Sequence, residues 1–373
     1  MRVQAAVGAF AAVLALSGAP TSAFADAGPG SSGAQFLTIG VGARPAALAE
    51  AFTGLADDVH ALVYNPAGLA FLRRQEFGLV HDQYASGVYH EWGGYALPTT
   101  WGTFGASANI LYVNAFDAYD NFDRPAGQTS AMDAAYQLSY AVPVTDTLSL
   151  GLSGKSVTSR LSNYSAGTVA GDAGLMWRPY TSLHFGAAVL NVGPGLTYIS
   201  ETSRLPSTIR GGASWTPFDP NDFENYFTLA ADVIKPRDES VYAAVGLEFW
   251  YDNLLAIRAG GRTGSNANVG PGYTLGAGVY LHHEEREPLE ICFDYAFVDS
   301  GDFAQTHRFS VIFKFGKPMI DKSRGEFPVK LQIYDADAPK PRKAAPPSTA
   351  TPPPPAKNSS DSSDNQEMIW IKL

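Results

Sequence analysis

From residue 75 to residue 316 the chain repeats one pattern: short segments whose side chains alternate between apolar and small polar types. Over residues 102–113, Phe104, Ala106, Ala108, Ile110 and Tyr112 fall on one face, and Thr103, Gly105, Ser107 and Asn109 on the other. Leu148, Leu150 and Leu152 oppose Ser149, Gly151, Ser153 and Lys155. Leu289, Ile291, Phe293, Tyr295 and Phe297 oppose Glu290, Cys292 and Asp294, and Phe309, Val311, Phe313 and Phe315 oppose Arg308, Ser310 and Lys314. A period of two is that of a strand with one apolar face. About fourteen such segments can be marked, starting near Gln75, Tyr89, Gly102, Ala131, Thr147, Ala166, Ser182, Leu205, Tyr226, Ser240, Asn253, Gly272, Glu287 and Gln305.

The opposite face decides between two all-β folds. A secreted soluble sandwich turns Lys and Glu outward. Here the polar face is mostly Gly, Ala, Ser, Thr and Asn, which suits the interior of a barrel whose apolar face meets lipid. Lipid cannot satisfy an open sheet edge, so the sheet must close. Charged residues make up 17% of the chain, against about 25% in soluble domains, and after the amino terminus no run reaches the roughly 18 apolar residues of a spanning helix. The fold class is therefore all-β: a transmembrane antiparallel β-barrel of about 14 strands, with a small amino-terminal plug and a disordered carboxy-terminal tail.

Four regions follow. Residues 1–25 read as a secretory signal: Arg2, an apolar run, then Ala23-Phe24-Ala25 as the cleavage site. Residues 26–74 form the plug region, with a helical stretch expected over residues 45–56 because Pro45 suits a first helical turn. Residues 75–316 are the barrel. Residues 317–373 are a Pro-rich tail, expected in the periplasm because an even strand number returns the chain to its starting side. Within it residues 327–334 alternate like a strand, and the apolar end at residues 368–373 suits either docking onto a partner's sheet edge or folding back on the barrel rim. The single cysteine, Cys292, leaves neither a lipid anchor at the cleavage point nor an internal disulfide.

Connections alternate in length. Those near residues 98–101, 143–146, 179–181 and 252 are short, while 114–130 and 193–204 read as long polar loops on the outside. Trp101, Trp177, Trp215 and Trp250 lie beside the short turns and are expected to form an interfacial girdle.

The segment over residues 36–72 contains Phe36-Leu37, Gly42-Ala43-Arg44, Ala51-Phe52, Ala56-Asp57-Asp58 and Asn65-Pro66-Ala67-Gly68-Leu69. Ahead of a barrel pattern it resembles the amino-terminal signature of the PorV/PorQ family of outer-membrane proteins, and more distantly the FadL-type transporters of hydrophobic compounds. The chain departs from the family at Leu48-Ala49, where Met-Gly is common, and in its long tail. The resemblance implies a fourteen-stranded barrel with the amino-terminal region in the lumen. It also implies a non-enzymatic role in protein secretion or surface attachment, of the type IX kind, through exported proteins or components of the secretion machinery. The alternative is a FadL-like channel for hydrophobic small molecules, which needs an apolar pocket between plug and wall.

The candidate site residues are therefore plug and lumen contacts: Arg44, Asp57, Asp58, Asn65 and Pro66 from the plug, and Lys155, Arg210, Arg258 and Arg308 from the wall. Asp57 and Asp58 are expected to meet one or more of those wall cations. The acids Asp232, Glu248, Glu290 and Asp294 complete a charge network. No catalytic set, cofactor or metal is expected. His282-His283 with Glu284-Glu285 sits at a turn, where neighbours point to opposite faces. His81 and His90 read as polar strand residues, and the glycines at 260, 261, 276 and 278 precede no helix that could form a phosphate loop. The net charge of −10 argues against nucleic acid. The expected surroundings are outer-membrane lipid, with the tail on the periplasmic side.

Overall fold

A computed structural model describes residues 28, 30–84, 87–218, 223–263, 272–283, 289–299 and 305–317. Fourteen antiparallel strands close into a barrel. They are β1 Gln75–Gln83, β2 Val88–Thr99, β3 Gly102–Tyr119, β4 Pro125–Pro143, β5 Leu148–Leu161, β6 Tyr164–Tyr180 and β7 Leu183–Val192, then β10 Thr208–Trp215, β11 Tyr226–Pro236, β12 Tyr242–Tyr251, β13 Leu255–Thr263, β14 Tyr273–His283, β15 Leu289–Asp299 and β16 Gln305–Phe315. Between β7 and β10, β8 Leu196–Tyr198 and β9 Glu201–Ser203 form a separate hairpin. The barrel shuts where β1 meets β16, in register from Gln75↔Phe315 to Gln83↔His307. No helix among the described residues is long and apolar enough to cross a membrane.

Alternation places the two faces as the hydrophobic effect requires. Leu152 is 64% exposed on the outer wall while Ser149, three positions back, is fully buried inside. Leu138, Ile257, Leu275 and Phe309 are exposed in the same way. In water this belt would be a severe liability; against hydrocarbon it is the solvated face.

Three local expectations change. The long loop expected over residues 114–130 is mostly ladder: β3 and β4 pair up to Tyr119↔Pro125, with register shifts after Val113 and Asp117. The turn is closed by Asp120, whose carboxylate accepts from the Arg124 backbone N–H at 3.0 Å and pairs with its guanidinium at 3.1 Å. Backbone pairing needs no apolar face, so polar strands can continue beyond the lipid. Residues 193–204 carry the β8–β9 hairpin instead of trailing as a loop, and the Arg204 carbonyl accepts the Gly33 N–H at 2.8 Å. Trp250 is not in the girdle. It is 5% exposed and packs edge-on against Tyr280 at 4.4 Å inside the barrel. It lies two residues from the inward Glu248, so strand parity sends it inward too. Trp101, by contrast, is 79% exposed at a short turn, and Trp177 is exposed as well.

Residues 34–72 run inside the barrel and are largely buried. The helix expected over residues 45–56 is only Ala43–Ala47. It ends because Ala49 and Glu50 adopt left-handed backbone angles, φ 54° and 65°. A second short helix, Ala61–Tyr64, precedes a 3₁₀ turn at Pro66–Phe71. Asn65 starts that turn: its side-chain oxygen accepts from the Ala67 N–H, with Pro66 at the first position.

Candidate functional site

A chain with so little regular structure leaves many backbone groups unpaired, and buried ones must find partners. The small polar residues of the inner wall supply them. Gln137 donates to the Leu62 carbonyl at 2.6 Å, Ser149 to Ala67 at 2.8 Å, Ser214 to Gly54 at 3.1 Å and Thr274 to Ala47 at 2.8 Å. Asn65 reaches the wall directly, donating to the carbonyls of Thr53 and Leu175 at 2.9 and 3.1 Å. The Asn65-Pro66 corner lies flat on wall glycines. A β-carbon on Gly174 would overlap the Asn65 side-chain oxygen, and one on Gly151 the Pro66 carbonyl carbon.

Arg44 is the electrostatic centre. Its guanidinium pairs with Asp57 at 2.6 Å and Asp58 at 2.9 Å from the luminal segment, and bidentately with Glu248 of β12 at 2.9 Å for both bonds. Arg258 of β13 shares Glu248 at 2.5 Å, then continues to Asp294 at 2.7 Å and the Tyr280 hydroxyl at 3.2 Å. The planar fork of arginine suits such shared carboxylates. Burial disfavours a charge on Asp58, yet His60, whose Nδ1 lies 3.0 Å away, and Arg44 hold the carboxyl well below the usual carboxylate range. Burial likewise opposes the charge of Arg44, and Asp57 and Glu248 overcome it, raising its pKa.

The pairing thus differs from the expectation. Asp57 and Asp58 meet Arg44 of their own segment, and the four wall cations go elsewhere. Arg210 donates to the Glu50 carbonyl at 2.5 Å and to Thr53 at 3.0 Å, and pairs with Asp232 at 3.2 Å. Asp232 also accepts the Thr53 backbone N–H at 2.9 Å. Arg308 donates to the Gly40 carbonyl at 2.6 Å. Lys155 stays on the wall, with Asp172 at 3.0 Å and Asn191 at 2.7 Å. Two further anchors were not marked in the sequence: Glu50 and Arg262, paired at 2.6 Å. Burial works against the Glu50 charge, but Arg262, Arg210 and Arg308 together keep its pKa low. Arg262 shares strand parity with Arg258 and was legible as inward. Glu50 lay in an expected helix, with no signal to single it out.

Towards the long-connection end the character changes. Phe36, Ala135, Val157, Ala170 and Leu205 form an apolar cluster, with half-buried Leu37, Ile39 and Leu111 against it. The segment is tethered there by neutral donors: Gln35 donates to Asp238 at 2.7 Å and the Gly33 N–H to the Arg204 carbonyl at 2.8 Å.

Among the described residues no group of three His, Cys, Asp or Glu side chains is placed to hold a metal. His282 and His283 belong to β14, and their side chains lie outside the described set, as does the tail from residue 318 onward. His81 and His90 occupy adjacent strands. His81 faces outward against Glu91 at 2.7 Å. His90 is buried between Asp82 at 2.9 Å and Asn109 at 2.7 Å, so both ring nitrogens are engaged without a hydroxyl nucleophile.

Solved structures of similar fold share the barrel. The CymD monoaromatic hydrocarbon channel matches with a TM-score of 0.52 at 12% identity, covering 76% of this chain and 98% of its own. The Ralstonia pickettii toluene transporter TbuX matches at 0.50 and 13%, covering 75% and 99%. The P. putida toluene transporter TodX matches at 0.50 and 12%, covering 76% and 99%. At such identities the likeness is one of fold. None of the curated proteins compared matches the chain. Residues 8–203, just over half of the 373, match the model of uncharacterised protein family UPF0164, and the chain belongs to that family.

Proposed function

We propose that the protein is an outer-membrane channel for small hydrophobic molecules, non-enzymatic, with the luminal segment 34–72 as its plug. The carrying observation is the apolar patch of Phe36, Leu37, Ile39, Leu111, Val157 and Leu205, built jointly by segment and wall at the long-connection end. A molecule poorly soluble in water gains by leaving it for such a surface, about 25 cal/mol for each Å² buried. Below the patch, buried ion pairs hold the segment across the lumen and oppose free passage of water and ions. The fold shared with channels whose names record toluene and other monoaromatic hydrocarbons supports the same reading.

Work of the PorV/PorQ kind, binding exported proteins or secretion machinery, has less support. Its sequence basis is the signature over residues 36–72, whose residues here serve to seat the segment in the wall. The long tail, in which the chain departs from that family, lies outside the described residues. The periplasmic placement of the tail belongs to this proposal.

The test is uptake. Cells carrying the protein in their outer membrane should accumulate radiolabelled toluene or a similar hydrophobe faster than cells lacking it, with a matched polar solute unaffected. Equal rates for the hydrophobe would remove the channel reading.

A further inference from the structure

Above Arg308 the inner wall carries buried polar atoms that the charge network leaves unused. Asp82 of β1 stands opposite Arg308 of β16 and His90 of β2 in the strand register, and facing residues across a ladder have β-carbons about 4.5–5.5 Å apart. Asp82 is fully buried. One carboxylate oxygen engages His90 at 2.9 Å, and the other has no partner among the described residues. Arg308, 7% exposed, uses one terminal nitrogen on the Gly40 carbonyl, while its Nε–H has no partner among the described residues. One inward step higher, the hydroxyls of Tyr84, the residue after β1, and Thr306 of β16 are also buried and without a partner among the described residues. Buried polar atoms are nearly always satisfied, so four together call for an explanation.

Their chemistry is selective. Arg308 offers a donor and Asp82 an acceptor, with Tyr84 and Thr306 able to act as either. The opposed charges of Asp82 and Arg308 disfavour both a bare anion and a bare cation. A neutral hydroxyl fits: its oxygen accepts from Arg308 or Tyr84, and its hydrogen goes to Asp82. The surroundings set what carries that hydroxyl. Leu111 stands opposite His90 on β3, and Ile39 precedes the Gly40 that Arg308 holds. Both belong to the apolar patch.

We infer that Asp82, Tyr84, Thr306 and Arg308 form a subsite for a neutral hydroxyl group carried on an apolar molecule, such as a phenol or a hydrophobic alcohol. The inference rests on the channel reading and adds to its substrate class a preference for hydroxylated molecules over plain hydrocarbons. A site built to hydrogen-bond a hydroxyl rejects the analogue that lacks it, because its polar atoms are then left buried and unpaired.

The experiment compares 4-ethylphenol with ethylbenzene, which differ by that one hydroxyl, on the full chain in lipid nanodiscs, with empty nanodiscs subtracted. The phenol should bind about tenfold tighter, the size of one or two net hydrogen bonds. A Tyr84→Phe/Thr306→Val double variant and an Asp82→Asn variant, each accepted only if heat-modifiable on gels, should shrink the preference to within about threefold. Equal binding of the two probes by the unaltered protein overturns the subsite and leaves the channel reading standing. A preference that survives undiminished in the folded variants also overturns it, since the hydroxyl is then read elsewhere. Binding of neither probe above empty discs overturns both the subsite and the channel.

Discussion

The two ends of the luminal segment are held by different physics. Around Arg44 the attachment is ionic, largely buried and shared: Asp57 and Asp58 of the segment and Glu248 of the wall are joined through the guanidinium groups of Arg44 and Arg258. Around Phe36 it is apolar, with three members half-buried and only neutral donors as tethers. Buried ion pairs are directional and fail abruptly when one member is lost, whereas apolar contacts can be exchanged for those of another apolar molecule at little net cost. The contrast assigns the first region to holding and the second to yielding.

The largest expected effect comes from removing the hub. Arg44→Met leaves the buried Asp58 and Glu248, and the partly exposed Asp57, without their shared cation and should destabilise the seated segment by about 3–5 kcal/mol. Planar-bilayer conductance should rise, and protease should cut within residues 34–72. A variant with low conductance and a protected segment would erase the distinction between the two ends.

Steric seating comes next. Gly174→Ala puts a methyl group into the Asn65 side chain and Gly151→Ala puts one into the backbone at Pro66; overpacking of this kind costs about 1–3 kcal/mol. Gly154→Ala, with nothing near its β-position, is the control and should be neutral. Thermal denaturation by circular dichroism ranks the three, and equal midpoints would place the Asn65-Pro66 corner off the wall.

Acid should loosen the ionic end selectively. Asp58 and Glu50 both have folded pKa values lowered from 3.8 and 4.5. Their contribution is therefore present above the unfolded values and is lost as the pH falls through the depressed ones. Conductance should be flat from about pH 5 to 8 and climb only below about pH 4. A rise centred near neutrality would break the assignment of the latch to Asp58 and Glu50.

The smallest change in stability is expected at the yielding end. Leu37→Ala or Leu111→Ala should cost under about 1 kcal/mol, as for partly exposed positions, yet lower toluene uptake measurably. A large loss of stability with unaltered uptake would show that this patch is merely core.

Strand pattern, strand number and the direction of the faces were readable in the chain itself. Each expected start lies within a few residues of an observed one except β4, which begins at Pro125 instead of Ala131 because polar residues beyond the lipid still pair. A two-residue period is a local property, and lipid on one side makes it unusually legible. The same parity was enough to place Arg258 and Arg262 inward, and should have placed Trp250 there as well.

What the linear pattern could not decide was who meets whom inside. Asp57 and Asp58 were expected to meet one or more of Lys155, Arg210, Arg258 and Arg308, and the structure pairs them with Arg44. Only the path of the segment, bent at Ala49 and Glu50, brings Arg44 to them and leaves Lys155 with Asp172. The pairing of buried charges depends on distances across the lumen, and each side chain there is equidistant in sequence terms from many partners. The row at Asp82, Tyr84, Thr306 and Arg308 has the same origin: its first two members lie more than two hundred residues from its last two, and the pairs become neighbours only because β16 closes on β1.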